Sequence, residues 1–179
     1  AGGNFDEPVT QATLKVVGAF HGLSRERSDA RKYPAINPTE SWSKYTGIIA
    51  MDRVEESRSI LKRSIEINQM MKVVGEEGTT AEDYITYQKG ELLDAVYLQQ
   101  NSFDPIDAAD SPERQRVEFD LLYDALMQQY DLEDKDEIRS FFNQLRQEFL
   151  DWHGTEFNSD AFEAQKNKIA DFYKSKAIA

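Results

Sequence analysis

Ile60–Gly75 reads ILKRSIEINQMMKVVG, and this stretch decides the fold. Ile60, Ser64, Ile67, Met71 and Val74 step by four, three, four and three residues. Residues at that spacing share one side of a 3.6-residue turn, so they line one face of a long α-helix. Gly75 is expected to end the helix, because glycine adopts the left-handed conformation of a C-terminal stop without steric cost.

The helical period continues outward from this stretch, from about Ile48 to the end of the chain. Thr79 with Glu82 and Thr80 with Asp83 both have capping-box spacing, which predicts a second helix from near Thr80 to about Leu98. Ser111-Pro112-Glu113 reads as N-cap, first helical residue and first-turn acid. The helix it opens is expected to bury Phe119, Leu122 and Leu126. A further helix carries Ile138, Phe142, Leu145, Phe149 and Trp152, again at three–four spacing. The last opens near Asp160 and presents Phe162, Ile169 and Phe172, with Gly154 to Ser159 between the two. Nothing alternates with period two for long. Helices joined by short connections predict an all-α class, with an antiparallel helical bundle over residues 48–179.

Residues 1–47 differ. They hold three of the five prolines and five of the nine glycines, punctuation that breaks regular structure. Val9 to Phe20 is apolar enough for a short buried helix or strand, which periodicity does not separate. Ser24 to Lys32 suits one short helix. Tyr33-Pro34-Ala35-Ile36-Asn37-Pro38 is expected to be largely extended, because a residue before proline is pushed out of the α region.

The chain has 179 residues, 40% hydrophobic and 30% charged, an ordinary globular balance. Its formal net charge of −12 repels phosphate backbones, so nucleic acid is not an expected partner. A basic partner surface is the natural complement. The absence of cysteine excludes disulfides, thiolate metal sites and cysteine nucleophiles. No apolar run approaches the roughly 18–20 residues of a membrane span, so direct membrane insertion is not expected, and no secretory signal is visible. The chain opens Ala1-Gly2-Gly3-Asn4 without methionine, as expected of a piece cut from a longer protein.

Catalytic signatures are missing. There is no Gly-x-x-x-x-Gly-Lys-Ser/Thr phosphate loop and no Gly-x-Gly-x-x-Gly. His21 and His153 are the two histidines, and neither has metal-site spacing. His153 follows Trp152 at a helix end, where a cationic imidazole suits the helix dipole. His21 lies in an apolar stretch and is expected to be partly buried with its hydrogen bonds satisfied. Paired acids such as Glu55-Glu56, Glu76-Glu77 and Glu82-Asp83 read as solvated helix ends, because hydrolytic pairs need one carboxyl in an apolar cleft. No catalytic residue and no metal ligand is therefore expected in this chain.

Three segments, in order, resemble the catalytic A subunit of V-type and archaeal-type rotary ATPases. Phe5-Asp6-Glu7-Pro8-Val9-Thr10-Gln11 is similar to the family's Asp-Phe-Ser-Glu-Pro-Val-Thr-Gln. Leu23-Ser24-Arg25 leads to Arg31-Lys32-Tyr33-Pro34-Ala35-Ile36-Asn37 and then Ser41-Trp42-Ser43-Lys44-Tyr45. The family usually shows Arg-His-Phe-Pro-Ala-Ile-Asn and Ser-Tyr-Ser-x-Tyr there, so Lys32-Tyr33 and Pro38 are departures. Leu98-Gln99-Gln100-Asn101-Ser102-Phe103 is similar to Leu-Gln-Gln-Asn-Ala-Phe. The resemblance covers residues 4–150 well and the last helix weakly. Val74 to Asp83 also resembles, in position and charge, the acidic Asp-Glu-Leu-Ser-Glu-Glu-Asp loop of the F-type β subunit, which touches the rotating central stalk.

This resemblance implies that residues 1–47 are an irregular segment left over from an α/β nucleotide-binding domain, and that 48–179 are the C-terminal bundle. The phosphate loop, the catalytic glutamate and the Mg²⁺-binding groups precede the matching segment in the family. ATP or ADP with Mg²⁺ is thus implied for the intact subunit, an ATP-driven ion-translocating rotary ATPase, and no cofactor for this piece. Phe103 is implied to lie against adenine, with Gln99, Gln100 and Asn101 shaping the pocket. Glu76, Glu77, Thr79, Thr80, Glu82 and Asp83 are implied to meet the central-stalk rotor subunit. B subunits of the alternating hexamer are the other implied partners, on the cytoplasmic side of a membrane. The rival reading is a stand-alone acidic helical adaptor. The non-catalytic B subunit and a helical metalloenzyme fit the motifs less well.

Overall fold

The computed structural model describes residues 6–178. Phe5 and the Ala1–Asn4 opening, which figure in the sequence reading above, lie outside the described residues. The chain divides into two compact units, one ending at Gly47 and one beginning at Ile48.

The first unit contains helix α1 (Pro8–Val16), strand β1 (Ala19–Phe20), helix α2 (Arg25–Asp29) and strand β2 (Trp42–Ser43). The two strands pair antiparallel, Ala19 with Ser43 and Phe20 with Trp42. A single bridge joins Leu23 to Ile36, within the segment expected to be extended. Ser24 caps α2 by accepting from the Arg27 amide at 3.2 Å. The expectation of a buried element over Val9–Phe20 is corrected. α1 and β1 form there, but Val9 is 70% and Val16 82% exposed. None of the nine residues of α1 is buried.

The second unit is five helices: α3 (Met51–Val74), α4 (Ala81–Val96), α5 (Pro112–Met127), α6 (Lys135–His153) and α7 (Asp160–Lys174). With the single two-stranded sheet of the first unit, the architecture is all-α as expected. The caps are those read from the sequence. Gly75 has φ +79° at the end of α3, with its amide on the Met71 carbonyl at 2.9 Å. Thr80 accepts from the Asp83 amide at 3.1 Å, and Ser111 accepts from the Arg114 amide at 3.2 Å with Pro112 following.

α3 and α4 form a helical hairpin about residues 75–80. The stripe that α3 buries is Ser57, Leu61, Ser64 and Ile67, so the face read from the sequence is shifted. Val74 is 54% exposed at the helix end, past the partner it was expected to meet. Small residues bring the two helices close. A methyl group on Gly90 would lie 2.2 Å from Ser64 Cβ, and the Ser64 hydroxyl donates to the Tyr87 carbonyl at 3.1 Å.

α4 packs on α6, α6 on α7, and α5 touches α3, α4 and α7. At the centre, Leu145, Phe149, Trp152, Phe162 and Ile169 are fully enclosed. Trp152 lies 4.7 Å from the Phe162 ring and donates its indole N–H to the Phe162 carbonyl at 2.9 Å. A side chain of this size contributes about 1.5–3 kcal/mol by leaving water. Phe172 is only partly buried, stacked on Phe141 at 5.1 Å. Among the described residues no helix is long and apolar enough to cross a membrane.

Candidate functional site

Two exposed turns of the helical unit carry the residues singled out by the sequence. The first joins α3 to α4. Glu76–Gly78 forms one turn of 3₁₀ helix. The Glu76 carboxylate pairs with Arg139 of α6, and the Glu76 carbonyl accepts from Lys135 Nζ at 2.5 Å. Asp83 pairs with Arg63 of α3 at 2.9 Å. Thr79 is 5% exposed and turns inward, whereas Thr80 is the cap of α4. Glu77 and Glu82 are exposed and carry no ion pair among the described residues. The acidic turn is thus tied down at Glu76 and Asp83 and presents Glu77 and Glu82 to solvent.

The second turn runs from the end of α4 to Ser111. α4 ends at Val96, two residues before the expected Leu98. Gln99 is half-buried and donates to the Asp94 carbonyl at 3.2 Å. Gln100 and Asn101 are exposed. The turn is built from its own side chains. Asn101 donates its amide to Asp107 Oδ2 at 2.6 Å, and its side-chain oxygen accepts the Phe103 amide at 3.1 Å. Asp104 Oδ1 accepts the Ile106 amide at 2.9 Å. Short acids and amides commonly hold a chain reversal this way. Phe103, at the tip, is 96% exposed. It is therefore not a core aromatic, and its ring face is open to a planar ligand.

Close behind this second turn lies a buried charge cluster that the sequence reading did not include. Arg114 is 4% exposed and pairs with Asp110 at 3.0 Å and Glu118 at 2.7 Å. Burial pushes the Glu118 carboxyl up to about 7, and the nearby Asp110 charge adds to the rise. Burial likewise raises Asp110, against the pull of Arg114. The Tyr97 phenol is pushed up to about 12, by burial first and then by Glu118 and Asp110. The signal for the cluster was present in Asp110, Arg114 and Glu118, spaced four apart as acid, base, acid, with Arg114 and Glu118 on one face of α5 and Asp110 just before its cap.

Both histidine expectations are corrected. His153 is 8% exposed, and burial lowers its pKa to about 4. It is a neutral core residue rather than a cation at the helix end, because the apolar surroundings penalise charge more than the helix dipole rewards it. His21 is exposed, directly after β1. Among the described residues no group of three or more His, Cys, Asp or Glu is placed to hold a metal ion.

Residues 51–139 match the family described as the C-terminal domain of V and A type ATP synthase, so the chain carries that domain. Beyond that domain, the likeness to V-type ATP synthase alpha chains runs along 99% of the chain. It is 59% identical over 178 residues to the V-type ATP synthase alpha chain of Borrelia turicatae and spans 31% of that protein's length. The Treponema denticola alpha chain is 57% identical over 177 residues, of which 30% of its length is covered. This likeness includes the last helix, which the motifs matched only weakly. The fold resembles a solved structure, ATP synthase subunit NeqB from Nanoarcheaum equitans, with TM-score 0.57 and 17% identity over 70% of this chain and 32% of that one.

Proposed function

We propose that this chain supplies the adenine-side wall, the lever and the rotor contact of the catalytic subunit of a V-type rotary ATPase. In that reading the intact subunit hydrolyses or makes ATP to drive or harvest ion transport. Mg²⁺ and the phosphates are handled by parts of the subunit outside this chain. The chain alone turns over no ATP. B subunits of the alternating hexamer and the central-stalk rotor are its partners, with the complex peripheral on the cytoplasmic side of a membrane. Residues 1–47 belong with the nucleotide-binding domain.

The observation that carries this reading is the nearly full exposure of Phe103 on a turn fastened by its own hydrogen bonds. A pre-ordered aromatic face stacks on a base with little ordering cost and contributes about 1–3 kcal/mol. Gln100 and Asn101, exposed beside it, offer donors and acceptors to the edge of the ring. Within the acidic turn, Glu77 and Glu82 are the carboxylates open to a basic rotor surface, while Glu76 and Asp83 shape the turn. Exposed charges act mainly through complementary fields, so this contact weakens with salt.

Phe103→Ala in the full subunit of the assembled complex is expected to raise the KM for ATP by about 5- to 150-fold, the equivalent of the stacking energy. An unchanged KM would sink the adenine reading. Glu77→Lys with Glu82→Lys is expected to lower the coupling of ATP turnover to rotation, and unchanged coupling would remove these two residues from the contact.

A further inference from the structure

Arg114 joins three separate pieces of the helical unit. Its guanidinium meets Asp110, the last residue of the Phe103 turn before the Ser111 cap, at 3.0 Å. It meets Glu118, one turn further along α5, at 2.7 Å. Its other two nitrogens donate to the carbonyls of His153 at 2.7 Å and Thr155 at 3.0 Å, where α6 ends. A cation suits that position, because the last carbonyls of a helix lack partners and carry partial negative charge. The Phe162 ring lies 5.7 Å from the guanidinium carbon and closes the site.

The cluster is costly for what a surface turn needs. Removing three charged groups from water is unfavourable unless each is paired and hydrogen-bonded. Hydrophobic residues of similar size would hold α5 to α6 at least as well. What they could not do is fix the turn's exit at one point, because apolar contacts have no direction. The Arg114 fork is itself fixed by hydrogen bonds to Glu118 and to the His153 and Thr155 carbonyls, and it holds the buried Asp110 carboxylate, which has no hydrogen-bond donor on Oδ1, as an ion pair at 3.0 Å. Within the turn, Asp107 accepts from the Asn101 amide, and the Asn101 side chain accepts from the Phe103 amide. Hydrogen bonds thus hold Arg114 to the end of α6 and hold the ring-bearing part of the turn, and the Arg114–Asp110 ion pair ties the turn's exit to that anchor.

We propose that Arg114, with Asp110 and Glu118, is a positioning clamp for nucleotide binding: it sets the 99–110 turn so that the Phe103 ring stands at the adenine. This rests on the adenine reading of Phe103 given above. Arg114 touches no nucleotide and acts through the turn. Lysine cannot replace it, because one ammonium cannot reach acceptors spread around a planar fork.

The test uses the full-length subunit in its assembled complex, with Phe103→Ala, Arg114→Lys and Asp110→Asn made separately. Arg114→Lys is expected to raise the KM for ATP about tenfold with kcat within about twofold, the split of a residue that orients binding without entering the chemistry. Backbone amides 101–108 are expected to exchange hydrogen about tenfold faster in the same variant. Asp110→Asn keeps the side-chain shape, loosens only the turn's end, and is expected to move both readouts the same way by less. It carries the test if Arg114→Lys does not assemble. If Phe103→Ala raises the KM while the clamp variant that assembles leaves KM and exchange at wild-type values, the clamp is overturned and the adenine reading stands. If Phe103→Ala leaves the KM unchanged, the adenine reading fails and the clamp's purpose with it.

Discussion

The two units of this chain are held by different forces. Among the described residues up to Gly47, no side chain is buried. Hydrogen bonds between separate stretches shape that unit: the Asn37 amide on the Gly22 carbonyl at 2.7 Å, the Lys44 amide on the Gly18 carbonyl at 2.7 Å, and the Gly22 amide on the Ser41 hydroxyl at 3.0 Å. The helical unit has an enclosed core in which Trp152, Phe149 and Phe162 lose nearly all contact with water. Turn chemistry can therefore specify a backbone path without a core, but only burial gives cooperative stability. Apolar side chains such as Val16 and Leu23 are left open on the first unit.

That contrast can be broken or sharpened by substitution in the chain itself. Trp152→Ala should have the largest effect, a loss of about 3–5 kcal/mol in chemical denaturation, because it empties the core and removes the indole hydrogen bond to the Phe162 carbonyl. A loss under about 1 kcal/mol would mean that the core is not what holds the helical unit together. Gly90→Ala should cost about 1–3 kcal/mol, since the new methyl group collides with the Cβ of Ser64 rather than with a flexible chain end. Ser64→Gly in the same chain should recover part of that loss, which a thermal melt of the double variant would show.

The buried titratable groups give a smaller effect that depends on pH. The folded His153 has a pKa of about 4 against an ordinary 6.5. The unfolded chain binds the extra proton in that window, so stability falls as pH drops from 6.5 towards 4. Glu118 works in the opposite sense. Its folded pKa is about 7 against an ordinary 4.5, so its contribution is complete below 4.5 and is lost as pH rises through 7. Glu118→Gln should therefore flatten the decline in stability between about pH 5 and about pH 8, measured by urea titration. An unaltered decline would assign it to other groups. Leu23→Ser should have the least effect, within about 0.5 kcal/mol, because Leu23 is 85% exposed. A larger loss would reveal a core in the first unit and end the contrast.

The helices and their caps were legible because they follow local rules. Thr80, Ser111 and Gly75 each act within four residues of themselves, and sequence shows that range directly. Ser64 read correctly as part of the buried face, but its reason, a close approach to Gly90, needs the partner helix. His153 was misread because helix position is local while burial is not. Arg114 was missed for the same reason. Two of its three hydrogen-bond acceptors are carbonyls 39 and 41 residues further along the chain, and backbone carbonyls leave no mark in a sequence. The exposure of Phe103 was equally out of reach, since an aromatic after a helix end is as readily a core residue as a displayed one.

The contact between Ser64 and Gly90 has a mechanical consequence. α3 is 24 residues long, about 36 Å at the rise of an α-helix. A single helix of that length bends under a sideways force at its tip. Two helices seated flush at mid-length, where Arg63 beside Ser64 also reaches Asp83 of α4, resist bending as one thicker beam.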